Sequence, residues 1–299
     1  MSAVPEYTHI ILSGGGLCGL SYLGMYRYLK QYKKLNKVRH IAGCSVGAIF
    51  AVLFALDIPV ADLEKEVFEL LTDSTLNSFD PSQILSILSN KGIYSMDRYR
   101  TVFQEYFKKK THIHNITLQE FSKYTGKNIY LSVFCLNTLS NEIISNITHP
   151  HEDIVKVVCA SFSIPGVFQP IQIGDFLYMD GGVGTALPID HFNYHDTDQV
   201  LAVNLSFNPY KTTEELKDTT LFLKQLMGAV LFSQTFKLLK TYQEKTYMDL
   251  LNIEENPMDF LPIKVIQDQL KLTITKEDYD QSILYGYKTL YQYLHDKYD

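Results

Sequence analysis

The sequence predicts an α/β fold in which helices cover the faces of a mostly parallel sheet. Two units of strand, tight glycine turn and helix follow one another at the start of the chain. The first joins an apolar run at residues 9–12 to a helical pattern at 20–32, and the second joins residues 38–42 to 46–56. Strands that alternate with helices in this way lie side by side and parallel.

The later elements continue this alternation and then become helical. Further strands are expected where β-branched and aromatic residues concentrate, at residues 128–136, 142–147, 176–179 and 199–205. Helical patterns cover residues 60–71, 81–88, 96–109, 153–162, 216–242 (as one helix or two) and 277–298. We therefore predict a core at residues 1–209 and a helical extension at 210–299 that packs on the same domain.

Composition and charge narrow the class of protein. The 299 residues, 46% of them hydrophobic and 20% charged, are typical of a globular protein with a sizeable core. A net charge of −6 disfavours nucleic-acid binding, which usually requires a basic excess. The N-terminus lacks the features of a signal peptide, and the apolar run at residues 221–232 is shorter than the ~20 residues that span a bilayer. We expect an intracellular, cytoplasmic protein whose membrane contact, if any, is peripheral.

The cysteines and histidines show no spacing typical of a metal site. The four cysteines are Cys18, Cys44, Cys135 and Cys159. They form no C-x-x-C pair, so we expect reduced thiols in a reducing compartment. His149 and His151 lie beside two acidic residues, but their spacing fits no recognised ligand set, and a solvated turn explains them. No metal and no cofactor is predicted.

Residues 43–47, Gly-Cys-Ser-Val-Gly, fit the motif G-x-S-x-G between a predicted strand and a predicted helix. Such a turn exposes the serine hydroxyl, and glycines such as Gly43 and Gly47 avoid clashes within it. The helix that follows favours negative charge at its N-terminus. Ser45 is therefore a candidate nucleophile. A glycine-flanked turn whose serine has no catalytic role fits the five residues equally well.

A second glycine turn, Gly14-Gly15-Gly16-Leu17-Cys18-Gly19, also follows a strand and opens a helix. Its N–H groups suit an anion, either a phosphate or the oxyanion formed when a serine attacks an ester. A phosphate-binding loop requires a lysine that Gly19-Leu20-Ser21 lacks, and no acidic residue follows about 20 positions on, as a dinucleotide site requires. The loop therefore favours the oxyanion.

Asp180-Gly181-Gly182 ends another predicted strand, where α/β folds commonly place functional residues. Asp180 is a candidate base, and the alternative is a turn aspartate followed by flexible glycines. His191 and His195 lie downstream of Asp180 and leave a Ser-Asp-His triad open as a second arrangement.

In chain order, the triple-glycine loop, the G-x-S-x-G turn and the D-G-G sequence far downstream resemble the patatin-like phospholipase family. Residues 160–170 also resemble that family's A-S-x-S-x-P segment, so the resemblance covers about residues 10–188. It implies a three-layer α/β/α fold, a Ser45–Asp180 dyad and an oxyanion hole formed by the amides of Gly14, Gly15 and Gly16. The chain departs from the family pattern at Cys18, where Arg or Lys is frequent, and in lacking an asparagine shortly after Gly182.

The resemblance implies a lipid acyl hydrolase that cleaves carboxylic esters of a glycerophospholipid or a neutral glyceride. The alternatives are a general esterase, an acyltransferase, or a catalytically silent module that binds lipids or has a regulatory role. Apolar residues at 221–236 are expected mainly in the core, with an acyl groove or a membrane-docking face as alternatives. The sequence does not indicate an oligomeric state.

Overall fold

A computed structural model of the protein describes residues 4–72, 78–79, 91–195, 197–205, 217, 219–243, 245–253, 263–266, 269–272 and 274–298. The helix that the sequence predicts at residues 81–88 lies outside these ranges. None of the helices within them combines the length and the apolar character that crossing a bilayer requires.

The described residues form a large mixed sheet and a small three-stranded one. The strands are β1 (His9–Leu12), β2 (His40–Cys44), β3 (Ser78–Phe79), β4 (Asn128–Cys135), β5 (Ser140–Ser145), β6 (Ile171–Ile173), β7 (Phe176–Asp180), β8 (Val200–Leu205), β9 (Met248–Ile253), β10 (Ile263–Ile266) and β11 (Gln269–Leu272). The order across the large sheet is β6-β7-β4-β2-β1-β8-β9, with β5 also paired to β4. From β4 to β9 along this order neighbouring strands are parallel, whereas β5, β6 and β7 pair antiparallel.

Helices cover both faces of the large sheet. They are α1 (Ser21–Gln31), α2 (Val46–Ala55), α3 (Val60–Thr72), α4 (Asp97–Thr111), α5 (Leu118–Thr125), α6 (Ile154–Ser161), α7 (Thr219–Phe232), α8 (Thr235–Tyr242) and α9 (Lys276–Tyr298). On β1, Ile10 and Leu12 enter the larger core with residues of α1 and α2. Ile11 points to the opposite face, where Leu238 and Leu239 of α8 pack against a second core. Alternation along the strand thus gives each face its own apolar layer.

The two edges of β4 explain how the chain brings distant residues together. β5 pairs along the C-terminal part of β4, so β2 and β7 must share the other edge. On that edge β2 pairs as far as Cys44, opposite Ser132, and β7 takes over at Asp180, opposite Val133. The register therefore places Asp180 directly beyond the end of β2, where the chain turns at Ser45.

The mostly parallel sheet and the helical C-terminal segment agree with the fold that the sequence predicts. The region predicted as one helix or two contains two, α7 and α8. Helix α5 and the strands β3, β6, β9, β10 and β11 were not predicted from the sequence. Because β9, β10 and β11 follow residue 209, the last third of the chain is not helical throughout. β9 pairs with β8. It contains Asp249, which is buried, and an aspartate in a sequence does not indicate a buried strand. The domain boundary at residue 209 stays a prediction.

The C-terminal helix α9 packs on α1 through two facing glycines. A Cβ on Gly286 would lie 1.9 Å from the Ser21 carbonyl oxygen, and a Cβ on Gly24 would lie 1.9 Å from the Ile283 carbonyl oxygen. Both distances are far below van der Waals contact, so the helix backbones approach too closely for any side chain at either position.

We expect Gly286→Ala to lower the free energy of unfolding by about 2 kcal/mol, because an inserted methyl group at a tight interface typically costs about 1–3 kcal/mol. Urea denaturation measures this. Lys288→Ala, on the exposed side of the same helix, should change the value by less than about 0.5 kcal/mol. Equal stability of the two variants would contradict the close approach of α1 and α9.

Candidate active site

Ser45 occupies the sharp turn between β2 and α2. Its backbone has φ 54° and ψ −126°, a conformation that costs a non-glycine residue of order 1–3 kcal/mol. A Cβ on Gly47 would lie 2.3 Å from the Leu12 carbonyl oxygen, and one on Gly43 would lie 2.1 Å from the Gly47 carbonyl oxygen. The two glycines therefore allow the tight turn that the sequence motif predicts.

The glycine loop between β1 and α1 lies directly against Ser45. A Cβ on Gly14 would lie 3.1 Å from the Ser45 Cβ. The Gly14 N–H donates to the carbonyl of Ala186, 2.9 Å away, in the loop that follows β7. Within the described part of the chain, the backbone hydrogen bonds of turns, loops and helix caps include none donated by the N–H groups of Gly15 and Gly16. The Gly14 amide thus joins the two loops.

The remaining motif glycines also stand where a side chain would displace part of the site. A Cβ on Gly19 would lie 2.4 Å from a valine side chain of α2. On Gly181 it would lie 2.5 Å from the Ser132 hydroxyl oxygen, and on Gly182 it would lie 3.0 Å from Asp180 Oδ1. Close packing around the site therefore accounts for these residues.

Asp180 is almost completely buried. Its Oδ1 accepts a hydrogen bond from the Gly182 N–H at 2.8 Å and lies 3.7 Å from the Cys44 Sγ. Its Oδ2 is also buried and has no hydrogen-bond partner among the described residues. Burial raises the pKa of Asp180 to about 6, and the Ser45 hydroxyl and the two groups on Oδ1 oppose this rise. One carboxyl oxygen is therefore anchored, and the group titrates near neutral pH.

The segment at the end of α6 contacts both candidate catalytic residues. The Ser45 N–H donates to Ser161 Oγ at 3.1 Å, and this hydroxyl donates to the Ser132 carbonyl at 2.7 Å. Two residues further on, the Ser163 carbonyl accepts the Asp180 N–H at 3.1 Å. One short segment therefore fixes the backbone of the serine and of the aspartate relative to each other.

An apolar cavity of about 250 Å³ opens beside Ser45. Its walls include Ile49 and Leu53 of α2, Val67 of α3 and Phe103 of α4, together with residues that follow α6. These side chains are aliphatic or aromatic, so the cavity suits a hydrocarbon chain better than a polar ligand.

The two histidines that the sequence offers as a third catalytic residue lie elsewhere. His191 packs beside the Tyr130 ring at a centroid distance of 5.6 Å, and the Tyr130 hydroxyl lies 3.1 Å from Nδ1 of His40. His40 begins β2, whereas the candidate nucleophile follows the other end of that strand. His195 is exposed, and its N–H donates to Asp198. The structure therefore places Asp180 at the turn that carries Ser45, and it places neither histidine there.

Sequence reasoning missed the walls of the cavity. The notable apolar run of the sequence forms α7, in which Phe222, Leu226 and Val230 are exposed while Leu231 and Phe232 are buried. The cavity walls come from α2, α3 and α4 instead. The role of Ser161 was also missed, although the A-S-x-S-x-P resemblance pointed to its segment.

The fold and the site together define an α/β protein that carries a serine on a strand-to-helix turn beside a buried aspartate. The sequence profile of the family described as patatin-like phospholipase matches residues 10–193. That is more than half of the chain. The protein belongs to the patatin-like phospholipase family.

Individual relatives are distant. The chain is 29% identical over 213 residues to a probable lipid hydrolase of Invertebrate iridescent virus 6, a match that covers 69% of this chain and 72% of that protein. It is 28% identical to an uncharacterized protein of Acanthamoeba polyphaga mimivirus, with 67% and 66% covered. Triacylglycerol lipase 5 of Saccharomyces cerevisiae is 25% identical over 68% of this chain, which is only 30% of the lipase. The matched region thus makes up 30% of the yeast lipase and 66% and 72% of the two viral proteins.

Solved structures agree with the fold. VipD from Legionella pneumophila superimposes with a TM-score of 0.56 at 19% identity, covering 98% of this chain and 68% of that one. The type III effector protein ExoU gives a TM-score of 0.51 at 16% identity, covering 98% and 54%. At these identities the likeness concerns the fold alone.

We expect Ser161→Ala to reduce ester hydrolysis and to destabilise the fold by about 1–3 kcal/mol, because it leaves the buried Ser45 N–H without an acceptor. Ser163→Ala is the matched control. It also removes a buried hydroxyl, which donates to the Ala160 carbonyl, but it keeps the backbone carbonyl that holds Asp180. Hydrolysis rates and urea denaturation separate the two effects. Equal activity of the two variants would contradict a role of Ser161 in holding the nucleophile.

Proposed function

We propose that the protein is a lipid acyl hydrolase in which Ser45 is the nucleophile and Asp180 is its base. The observation that carries the proposal is a buried carboxyl group beside a strained serine that also lines an apolar cavity. A serine hydroxyl is a poor nucleophile unless a base lies near it. The family to which the chain belongs supports ester hydrolysis on lipids.

In the proposed mechanism, Ser45 attacks the ester carbonyl while the carboxylate of Asp180 takes the hydroxyl proton. An aspartate with a pKa of about 6 is a much better base at neutral pH than one with an ordinary pKa near 4. The alcohol leaves with that proton. A water molecule then gives a proton to Asp180 while its oxygen attacks the acyl carbonyl. The bond to Ser45 Oγ breaks, Asp180 returns the proton to that oxygen, and the acyl group leaves as a carboxylic acid.

The developing oxyanion requires hydrogen-bond donors in a place that substrate can reach. We assign this role to the N–H groups of Gly15 and Gly16, and Gly16 lines the cavity together with Ser45. The resemblance implies the same role for the Gly14 amide, which in the structure donates to the Ala186 carbonyl. Loss of one such donor typically costs about 3 kcal/mol in the barrier.

We propose the apolar cavity as the site of the acyl chain. Leu53 lies eight residues beyond Ser45, which is about 12 Å along a helix. A chain bound there extends along α2 away from the ester. Relatives named as a lipid hydrolase and a triacylglycerol lipase support a lipid substrate. Peripheral contact with a membrane stays a prediction, and the exposed Phe222, Leu226 and Val230 of α7 are where we would expect it.

The test is hydrolysis of a nitrophenyl butanoate and of a fluorogenic phospholipid by the wild type, Ser45→Ala and Asp180→Asn. We expect both variants to lose activity by a factor of about 100 or more, because a positioned base alone contributes about 10²–10⁴. The wild-type rate should fall as the pH drops through about 6, where Asp180 becomes protonated. A fully active Asp180→Asn alongside an inactive Ser45→Ala would exclude the dyad.

Stability provides the folding control for Asp180→Asn. The folded state raises the pKa of Asp180, so the stability that this group contributes is present below its unfolded pKa and is lost as the pH rises through about 6. Asparagine does not ionise, so the variant does not lose stability in this way as the pH rises. The variant should therefore be more stable than the wild type by about 3 kcal/mol above pH 6 and equal to it near pH 4.

Chain-length preference tests the cavity. We expect Leu53→Trp to lower the rate on a dodecanoyl ester about tenfold relative to a butanoyl ester, since displacing two buried methylene groups costs about 1.6 kcal/mol. Leu226→Trp makes the same substitution on the exposed face of α7 and should leave this ratio unchanged. An unchanged ratio in Leu53→Trp would place the acyl chain elsewhere.

A further inference from the structure

The carbonyl of Gly181 organises the loop that carries the chain away from Asp180. It accepts hydrogen bonds from the N–H groups of Gly184 at 3.1 Å and Thr185 at 3.0 Å. A third donor comes from another part of the chain, because Asn141 Nδ2 donates to the same oxygen at 3.0 Å. Three donors on one carbonyl fix its direction closely.

The same peptide unit also holds the carboxyl group of Asp180. The Gly181 carbonyl and the Gly182 N–H belong to one planar peptide, so fixing the direction of the carbonyl fixes the direction of the N–H. That N–H donates to Asp180 Oδ1 at 2.8 Å. Asn141 therefore reaches the carboxylate through a single rigid group.

Asn141 is suited to this position by its chemistry and by its strand. It lies on β5 opposite Phe134 of β4, so the sheet fixes its backbone. Its amide nitrogen also lies 3.4 Å from Ser132 Oγ and 3.5 Å from the Thr185 carbonyl oxygen. A neutral amide supplies two N–H donors, whereas an aspartate would direct negative oxygens at the carbonyls.

Gly184 provides an independent sign of this contact. A Cβ there would lie 1.9 Å from Asn141 Oδ1 and 2.6 Å from Asn141 Cγ. The backbone of Gly184 has φ −99° and ψ −59°, close to the right-handed region that every residue adopts. Glycine is therefore required at this position by the amide of Asn141 and not by the backbone.

We propose that Asn141 is a positioning residue that orients the Asp180 carboxylate through the peptide between Gly181 and Gly182. The proposal rests on the proposed function, in which Asp180 is the base. Asn141 touches no reacting atom. It acts by keeping one N–H donor on Oδ1, so that the carboxylate holds a single orientation.

The test compares the full-length wild type with Asn141→Ala on nitrophenyl butanoate between pH 5 and 8. We expect kcat to fall about tenfold or more while KM changes less than about twofold, because the lost interaction serves the transition state. The groups that lower the pKa of Asp180 are the Ser45 hydroxyl, the Gly182 N–H and the Cys44 thiol. A looser Gly182 N–H therefore moves the acid limb of kcat to higher pH, which a purely structural loss would not do.

Gly184→Ala supplies the second arm of the experiment. In the wild-type background its methyl group must push the Asn141 amide aside, so we expect a loss of kcat similar to that of Asn141→Ala. In the Asn141→Ala background the methyl group has room, and we expect no further loss. Non-additivity of this kind is the mark of two residues in direct contact.

Two further variants keep the outcome decisive. Asn146→Ala removes an amide just after the end of β5 that accepts from the Ile129 N–H and donates to Asn128. This variant should keep the wild-type kcat and pH profile. Asn141→Asp preserves the shape of the side chain without its donors and replaces Asn141→Ala if that variant does not fold.

Wild-type kcat and pH profile in Asn141→Ala would overturn the proposal, as would an equal loss from Gly184→Ala in both backgrounds. Failure of the proposed function gives a different result. In that case Ser45→Ala or Asp180→Asn retains activity, whatever the Asn141 variants do.

Discussion

The site depends on the point at which β2 stops pairing with β4. Ser45 leaves the strand conformation with a positive φ, so β2 ends at Cys44. Buried backbone groups must be paired, and the edge of β4 that β2 vacates therefore needs another strand. β7 fills it from Val133 onward, and the residue that arrives there is Asp180. The strained turn of the nucleophile thus creates the gap in the sheet that its proposed base occupies.

Ser132 lies at this change of partner strand and connects the groups around it. Its carbonyl accepts the Ser161 hydroxyl, which in turn accepts the Ser45 N–H. Its own hydroxyl lies 3.4 Å from the Asn141 amide and against Gly181. A single fully buried residue on a central strand therefore contacts the supports of both Ser45 and Asp180.

Local patterns made the strands around the motifs and the two candidate catalytic residues predictable from the sequence. Ser45 is marked by a strand, two glycines and a helix, all close together in the chain. Its contact with Asp180 depends on the register of β2 and β7 on β4, which no local pattern encodes. The strand β9 was missed because its buried Asp249 resembles a surface residue, although Tyr7 and Lys297 bind it. The role of Asn141 depends on a contact 40 residues away.

The surroundings of Asp180 balance two opposite requirements of a base. A carboxyl group buried without any donor can reach a pKa of about 8–9 and would be protonated at neutral pH, whereas two or three backbone donors can lower it below about 2. The groups that lower the pKa of Asp180 are the Ser45 hydroxyl, one backbone donor on Oδ1 and a thiol, which is a weak donor. These contacts only partly oppose the effect of burial, so the pKa stays at about 6. Cys44 within the G-x-S-x-G turn therefore belongs to the balance, since a hydroxyl in its place would donate more strongly and make Asp180 a weaker base.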